Sequence, residues 1–249
     1  MKTGVCTDAG KVREINQDDY AIHENGCCLY IIADGMGGHQ CGEVASRMAV
    51  EVVREHVIKY MSPDMDPTSA KGILYEAFSR ANKRILEYAA IEPECAGMGT
   101  TLTLLFHCGR QSLIGHVGDS RAYILNGERL VQVTEDHSLV AELYRRGELT
   151  AEEVQHHPQK HVITRALGMG DSVRADLIPV SLKVNDRVLL CTDGLTNLVA
   201  DNEMLQLIQQ YEPEQIIVEK LVQLANERGG HDNITVLLVN IQQDAEESW

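Results

Sequence analysis

Cys27-Cys28-Leu29-Tyr30-Ile31-Ile32-Ala33-Asp34-Gly35-Met36-Gly37-Gly38-His39 changes character twice. An apolar run of strand length, Cys27–Asp34, stops at an aspartate, and a glycine-rich loop follows. From Gly42 to about Tyr60 the apolar residues Val44, Ala45, Met48, Ala49, Val52, Val53 and Val57 then fall at helical spacing. A carboxylate at the end of a buried strand is displayed at the rim of a sheet. The glycine after it lets the backbone turn sharply and bring its own carbonyl toward an ion.

The same arrangement recurs. Asp119 ends the strand expected at Ser112–Val117, Asp193-Gly194 follows Arg187–Cys191, and Asp232 precedes the closing strand Asn233–Ile241. Asp18 stands after Asn16-Gln17 near the start. Aspartate oxygens are hard ligands suited to Mg2+ or Mn2+. Several of them at one point would repel one another without cations. Taken singly, each is an ordinary turn residue. The residues alone therefore leave two readings open, a set of turns or a polynuclear carboxylate site.

Working outward, strands are expected at Gly4–Thr7, Tyr20–Glu24, Thr100–His107, Ser120–Leu125, Arg129–Val133 and Ala175–Pro179. Asn126-Gly127 marks a hairpin turn. A second helix follows the cap Asp66-Pro67, and two more are expected at Asp201–Gln210 and Glu214–Arg228. Strands in runs and helices in pairs indicate an α+β protein, a β-sandwich of two antiparallel sheets with helices outside. The expectation is a single domain over 1–241 with a tail at 242–249. Residues 136–166 break the strand pattern with a polar, helix-compatible segment rich in His and Arg.

Composition narrows the function. With 249 residues, 44% apolar and 24% charged, the chain can bury a large core, and no apolar run is long enough to span a bilayer. Twenty-two basic against 37 acidic residues give a net charge of −15, opposite to what phosphate-neutralising nucleic-acid binding needs. Seven cysteines without a CxxC pair, and an N-terminus without a signal-like apolar stretch, lead to an expectation of a cytoplasmic protein with buried free thiols. Gly35-Met36-Gly37, Gly97-Met98-Gly99 and Gly168-Met169-Gly170 do not complete a dinucleotide loop, and there is no GxSxG or HExxH.

Six motifs stand in order: Arg13-Glu14-Ile15-Asn16-Gln17-Asp18, Ala33-Asp34-Gly35-Met36-Gly37-Gly38-His39, Gly99-Thr100-Thr101, Val117-Gly118-Asp119-Ser120-Arg121, Thr192-Asp193-Gly194 and Gly230-His231-Asp232-Asn233-Ile234-Thr235. Together they resemble the metal-dependent protein phosphatases of type 2C, in particular the compact bacterial serine/threonine phosphatases. The match runs from about Thr3 to Val239. The resemblance implies a sandwich in four layers, αββα, and hydrolysis of phosphoserine and phosphothreonine on proteins with two or three Mn2+ or Mg2+ ions. It places Asp34 as a carboxylate bridging two ions, with the Gly35 carbonyl on one of them. Asp193 and Asp232 fall on the other, and Asp18 falls where the family holds the second ion, largely through water. Asp119 would share a third ion with Asp193. Arg13 matches an arginine that grips the substrate phosphate, and His39 a histidine proposed as general acid.

These roles suit the chemistry. Ions neutralise phosphoryl charge and acidify water, so no side-chain nucleophile is needed. A guanidinium fork matches phosphate oxygens, and an imidazole can supply a proton near neutral pH. Cys41 stands where the family pattern has a small residue such as alanine. Residues 136–166 correspond to a flap in bacterial members, where Arg145, Arg146 and His161 are candidates for steering anionic phosphorylated segments. The expected partners are phosphorylated proteins and the pathway of an opposing serine/threonine kinase, with no nucleic acid or membrane and a monomeric state. Two alternatives are a non-catalytic phosphoprotein-binding scaffold and a phosphatase dedicated to one regulatory partner.

Overall fold

Antiparallel pairing joins the strands into two sheets in the computed structural model, which describes residues 1–37, 41–109 and 111–242. One sheet runs in the order β1 (Lys2–Asp8), β11 (Ile234–Asn240), β10 (Arg187–Cys191), β7 (Arg121–Asn126) and β8 (Arg129–Gln132). The other runs β2 (Asp18–Asn25), β3 (Cys27–Met36), β5 (Leu102–Cys108), β6 (Gln111–Val117) and β9 (Asp176–Val180), with the short β4 (Gly99–Thr100) paired to the end of β3. Helices α1 (Cys41–Tyr60) and α2 (Pro67–Ile91) cover the second sheet, and α6 (Asp201–Gln210) and α7 (Glu214–Glu227) cover the first. The result is the expected αββα sandwich.

The unbroken apolar reading of β3 follows from burial on both faces. Leu29, Ile31 and Ala33 pack under the helix pair with Ala45, Ala49, Val53 and Phe78. Tyr30 and Ile32 point into the sandwich against Leu105, Val188, Leu190 and Leu237. Each such side chain withdrawn from water contributes about 1.5–3 kcal/mol. Asp66 caps α2 as its sequence suggests, accepting from the backbone N–H groups of Thr68 and Ser69 ahead of the packed face Leu74, Ala77, Phe78, Ala81 and Ile85. Asn126 and Arg129 pair across the expected hairpin turn. Among the described residues no helix is long and apolar enough to cross a membrane.

Three expectations need correction. The strand expected over Thr100–His107 is broken at Thr101, because that residue turns its hydroxyl and N–H back onto Asp34 instead of extending the ladder. Asp193 does not merely start a turn; it opens a one-turn helix, α5 (Asp193–Thr196), whose N-cap is Thr192. The seven thiols are not all free. Cys27 is bonded to Cys108 and Cys41 to Cys95, and Cys6, Cys28 and Cys191 stand outside these disulfides. The first pair is a consequence of register: Cys28 faces His107 across β3 and β5, so Cys27 and Cys108 meet with Cα atoms 4.3 Å apart. Such neighbours are 81 residues apart in sequence, which is why spacing gives no hint of them. The segment 136–166 carries two short helices, α3 (Leu139–Arg145) and α4 (Ala151–His156). His39 lies outside the described residues, as does the expected tail apart from Gln242.

Candidate metal centre

Both sheets contribute carboxylates to one rim of the sandwich. Asp18 opens β2 directly opposite Asp34 near the end of β3, and Asp119 follows β6. From the other sheet, Asp193 follows β10 and Asp232 stands just before β11. The charges act on one another: Asp34 feels those of Asp18, Asp193, Asp119 and Asp232. The convergence that sequence could not show is thus present in the structure for all five expected aspartates.

The two sheets are tied at this rim by Asp18. Its Oδ2 accepts from Thr192 Oγ1 at 2.9 Å, just past the end of β10, and from Thr235 Oγ1 at 2.7 Å, on β11 of the opposite sheet. Its Oδ1 is buried and has no hydrogen-bond partner. Asp193 shows the same asymmetry, with Oδ2 accepting from Asn197 Nδ2 at 3.0 Å and a buried, partnerless Oδ1. Asp34 is held through its backbone. Its N–H donates to Thr101 Oγ1, and its carbonyl accepts from Thr101 N–H and Thr100 Oγ1, each at 2.9 Å. That is what Gly99-Thr100-Thr101 does in the fold.

Burial and crowding push these carboxyls far from their ordinary range. Burial is the main cause at Asp18, with the charges of Asp193 and Asp232 adding to it; the threonine hydrogen bonds offset only part, and the group is raised to about 7. Burial, then Asp193 and Asp136, raises Asp119 to about 8. Asp34 is pushed well up by burial and by its four neighbours, and Asp193 by burial and Asp232. Cations would make such a cluster favourable. Two buried carboxylate oxygens without partners, amid hard oxygen donors, fit divalent ions of the Mg2+ or Mn2+ class. Among the described residues no three His, Cys, Asp or Glu side chains close on one point tightly enough to hold an ion alone. Backbone carbonyl and water oxygens would complete the shell, as such ions accept.

Gly35 is required where it stands. Its N–H donates to Gln17 O at 3.1 Å, and a Cβ would overlap the Gly42 carbonyl at the start of α1. Gly35→Ala is expected to cost at least about 3 kcal/mol, because backbone must move to admit it. A chemical-denaturation midpoint unchanged from wild type would contradict this.

Arg13 sits at the mouth, half exposed, with Nη2 2.9 Å from Asp232 Oδ2. Its loop is organised by the buried Asn233, whose Nδ2 donates to Ala9 O and Ile15 O and whose Oδ1 accepts from Gln17 N–H. Of the candidates in 136–166, His161 lies near enough to Asp193 for its charge to favour the carboxylate. Arg145 pairs with Glu135 at 3.0 Å and Arg146 with Glu142 at 3.7 Å, within residues 135–146. Asn233, Thr192, Thr235 and Asn197 were not singled out from sequence; only Asn233, Thr192 and Thr235 fell within quoted motifs.

The four-layer sandwich thus gathers five aspartates at one rim, Asp18 and Asp119 buried and Asp34, Asp193 and Asp232 partly so. The protein phosphatase 2C model matches residues 9–238, and the chain belongs to that family. It is 40% identical over 235 residues to the serine/threonine phosphatase stp of Listeria monocytogenes, covering 94% of this chain and 93% of that one. The Streptococcus agalactiae serine/threonine phosphatase superposes with a TM-score of 0.90 at 35% identity, covering 97% of this chain and 99% of its own. The catalytic domain of the phosphatase PstP, solved in complex with two manganese ions, superposes with a TM-score of 0.84 at 32% identity, covering 97% and 98%.

Proposed function

We propose that this chain hydrolyses phosphoserine and phosphothreonine esters on proteins and depends on Mn2+ or Mg2+. The observation that carries the proposal is the pair of partnerless buried oxygens, Asp18 Oδ1 and Asp193 Oδ1, inside a mutually repelling aspartate cluster on a protein phosphatase 2C fold. Asp34, the Gly35 carbonyl, Asp18, Asp193 and Asp232 would hold two ions, and Asp119 with Asp193 a third. When bound, such ions supply Lewis-acid stabilisation of phosphoryl charge and lower the pKa of water. Arg13 presents a planar fork of donors at the mouth and orients the phosphate. Asp232, its partner here, keeps the fork pointed at the rim. His39 is proposed to protonate the departing serine or threonine oxygen. The flap residues Arg145, Arg146 and His161 are proposed to contact the peptide around the phosphate.

The catalytic domain is proposed to span 1–241 with its flap at 136–166, acting as a cytoplasmic monomer against a serine/threonine kinase. The −15 net charge supports a partner set without nucleic acid. The test is phosphate release from a phosphothreonine peptide with Mn2+ titrated from zero, for wild type and Arg13→Ala. Release should rise with metal, and Arg13→Ala should lower kcat/KM about 10–100-fold, mainly through KM. No release at any metal level from folded protein would leave a phosphoprotein-binding scaffold instead.

A further inference from the structure

His137 is a buried side chain next to the rim that the roles above leave unused. It lies at the entry to the flap, and its side chain is fully enclosed. Its Nδ1 accepts the backbone N–H of Gly118 at 3.1 Å, so the ring proton is on Nε2, which donates to Asp176 Oδ2 at 3.0 Å. The backbone adds to this. His137 N–H donates to Gly118 O at 2.8 Å, which gives the pair of residues a closed loop of two bonds. His137 O accepts Thr164 N–H at 2.8 Å, and Leu139 N–H donates to Val162 O at 2.8 Å, so the two ends of the flap run side by side at its neck. Asp176 Oδ1 meanwhile accepts from Arg165 at the flap exit, at 3.3 Å. His116 stacks on the His137 ring at 4.7 Å and is itself held by Thr103 and the Glu135 carbonyl.

Gly118 is a demanding place for such a bond. It takes a φ of +115°, and a Cβ there would run into Thr101, the residue that holds Asp34. The turn Gly118–Asp119 therefore has little freedom, and one ring nitrogen caps its N–H while the other reaches the strand that receives the flap exit.

We propose that His137 is a positioning residue with two separable duties: Nδ1 fixes the Gly118–Asp119 turn at the aspartate rim, and Nε2, through Asp176 and Arg165, fixes the height of the flap over it. The reaction would then be set by one bond and access of a peptide by the other. Only the kinetic consequence rests on the phosphatase reading; the two bonds can be tested without turnover.

Two conservative variants separate the duties. In His137→Asn the amide oxygen takes the place of Nδ1 and keeps the Gly118 bond, but the side chain is too short for Asp176. In His137→Gln the amide nitrogen takes the place of Nε2 and keeps the Asp176 bond, but Gly118 loses its acceptor. For His137→Asn we expect tryptic cleavage at Arg145, Arg146 or Lys160 to quicken about tenfold, with Gly118 amide exchange unchanged. Its KM for a phosphothreonine peptide should rise about tenfold while kcat on a small aryl phosphate holds within about twofold. For His137→Gln the pattern reverses: Gly118 exchanges about tenfold faster, tryptic cleavage is unchanged, and kcat falls on both substrates. Asp176→Ala, at a one-third-exposed position, should reproduce the asparagine pattern and carries the flap arm if His137→Asn does not fold. Identical profiles in the two histidine variants, tracking a shared loss of thermal stability, would reduce His137 to a core residue and overturn the proposal, as would unchanged exchange and cleavage. A wild type inactive on both substrates would remove the phosphatase reading, and the exchange and cleavage comparisons would still decide the clasp.

Discussion

Asp34→Asn is expected to abolish metal-dependent phosphate release and, at the same time, to make the metal-free protein more stable. The substitution keeps the shape of the side chain and replaces an ionisable group crowded by four other carboxyls with a neutral one. Activity should fall at least about 10³-fold, since a ligand shared by the proposed ions is lost where phosphoryl charge must be stabilised. Stability should move the other way. Each unit by which neighbours and burial raise a carboxyl is about 1.4 kcal/mol of unfavourable ionisation, so relief of about 1–3 kcal/mol is expected, even after allowing for relaxation of the cluster. For a chain of this size that corresponds to a melting temperature higher by a few degrees, roughly 2–4 °C per kcal/mol. Added Mn2+ should stabilise the wild type strongly and the variant little. A metal-free variant less stable than wild type would mean that the aspartates are not repelling one another.

The second large effect is on pH. Asp18 is raised to about 7 and Asp119 to about 8, above the unfolded carboxyl value, so the folded chain holds protons that the unfolded chain has released. That stabilisation is complete below the unfolded value and is lost as pH rises through the folded ones. Buried histidines act in the opposite sense at lower pH. Burial is the main cause lowering His116, to about 4, and His137 is lowered as well, so both favour folding as pH rises toward 6.5. Between about pH 6.5 and 8.5 the aspartates act alone, and the metal-free protein should lose about 1–3 kcal/mol. Saturating Mn2+ should flatten that slope by keeping the carboxylates ionised. Chemical denaturation with chelator and with metal, at half-unit steps across the window, measures both. A chelated protein whose stability is flat or rises with pH there would contradict the crowding that defines the site.

The parts of this fold that were legible in sequence are those dictated locally. Asp66-Pro67 announces a helix start because a carboxylate and a fixed φ act within one turn. The apolar run before Asp34 announces a strand because both its faces are covered. Aspartates at strand ends followed by glycine were legible as candidates, because a rim position and a close backbone approach leave a mark on neighbouring residues. What brings them together is not local. Thr192 and Thr235 stand in quoted motifs with nothing nearby in sequence to mark their partner, yet their hydroxyls reach Asp18, 174 and 217 residues away in sequence. Asn233 sits in a quoted motif, but its grip on Ala9, Ile15 and Gln17 depends on β1 and β11 lying side by side. The Cys27–Cys108 bond is hidden from the sequence for the same reason, since register between β3 and β5 is what places the pair.

The pairing of β1 with β11 also decides how this protein can be displayed. Asp8 faces Ile234 beside the aspartate rim, whereas Lys2 faces Asn240 at the other end of the same ladder. A tether joined ahead of Lys2 therefore leaves from the side turned away from the chemistry. Anchored on a bead or a sensor chip by that end, the molecule holds its mouth outward, open to substrates as large as folded proteins.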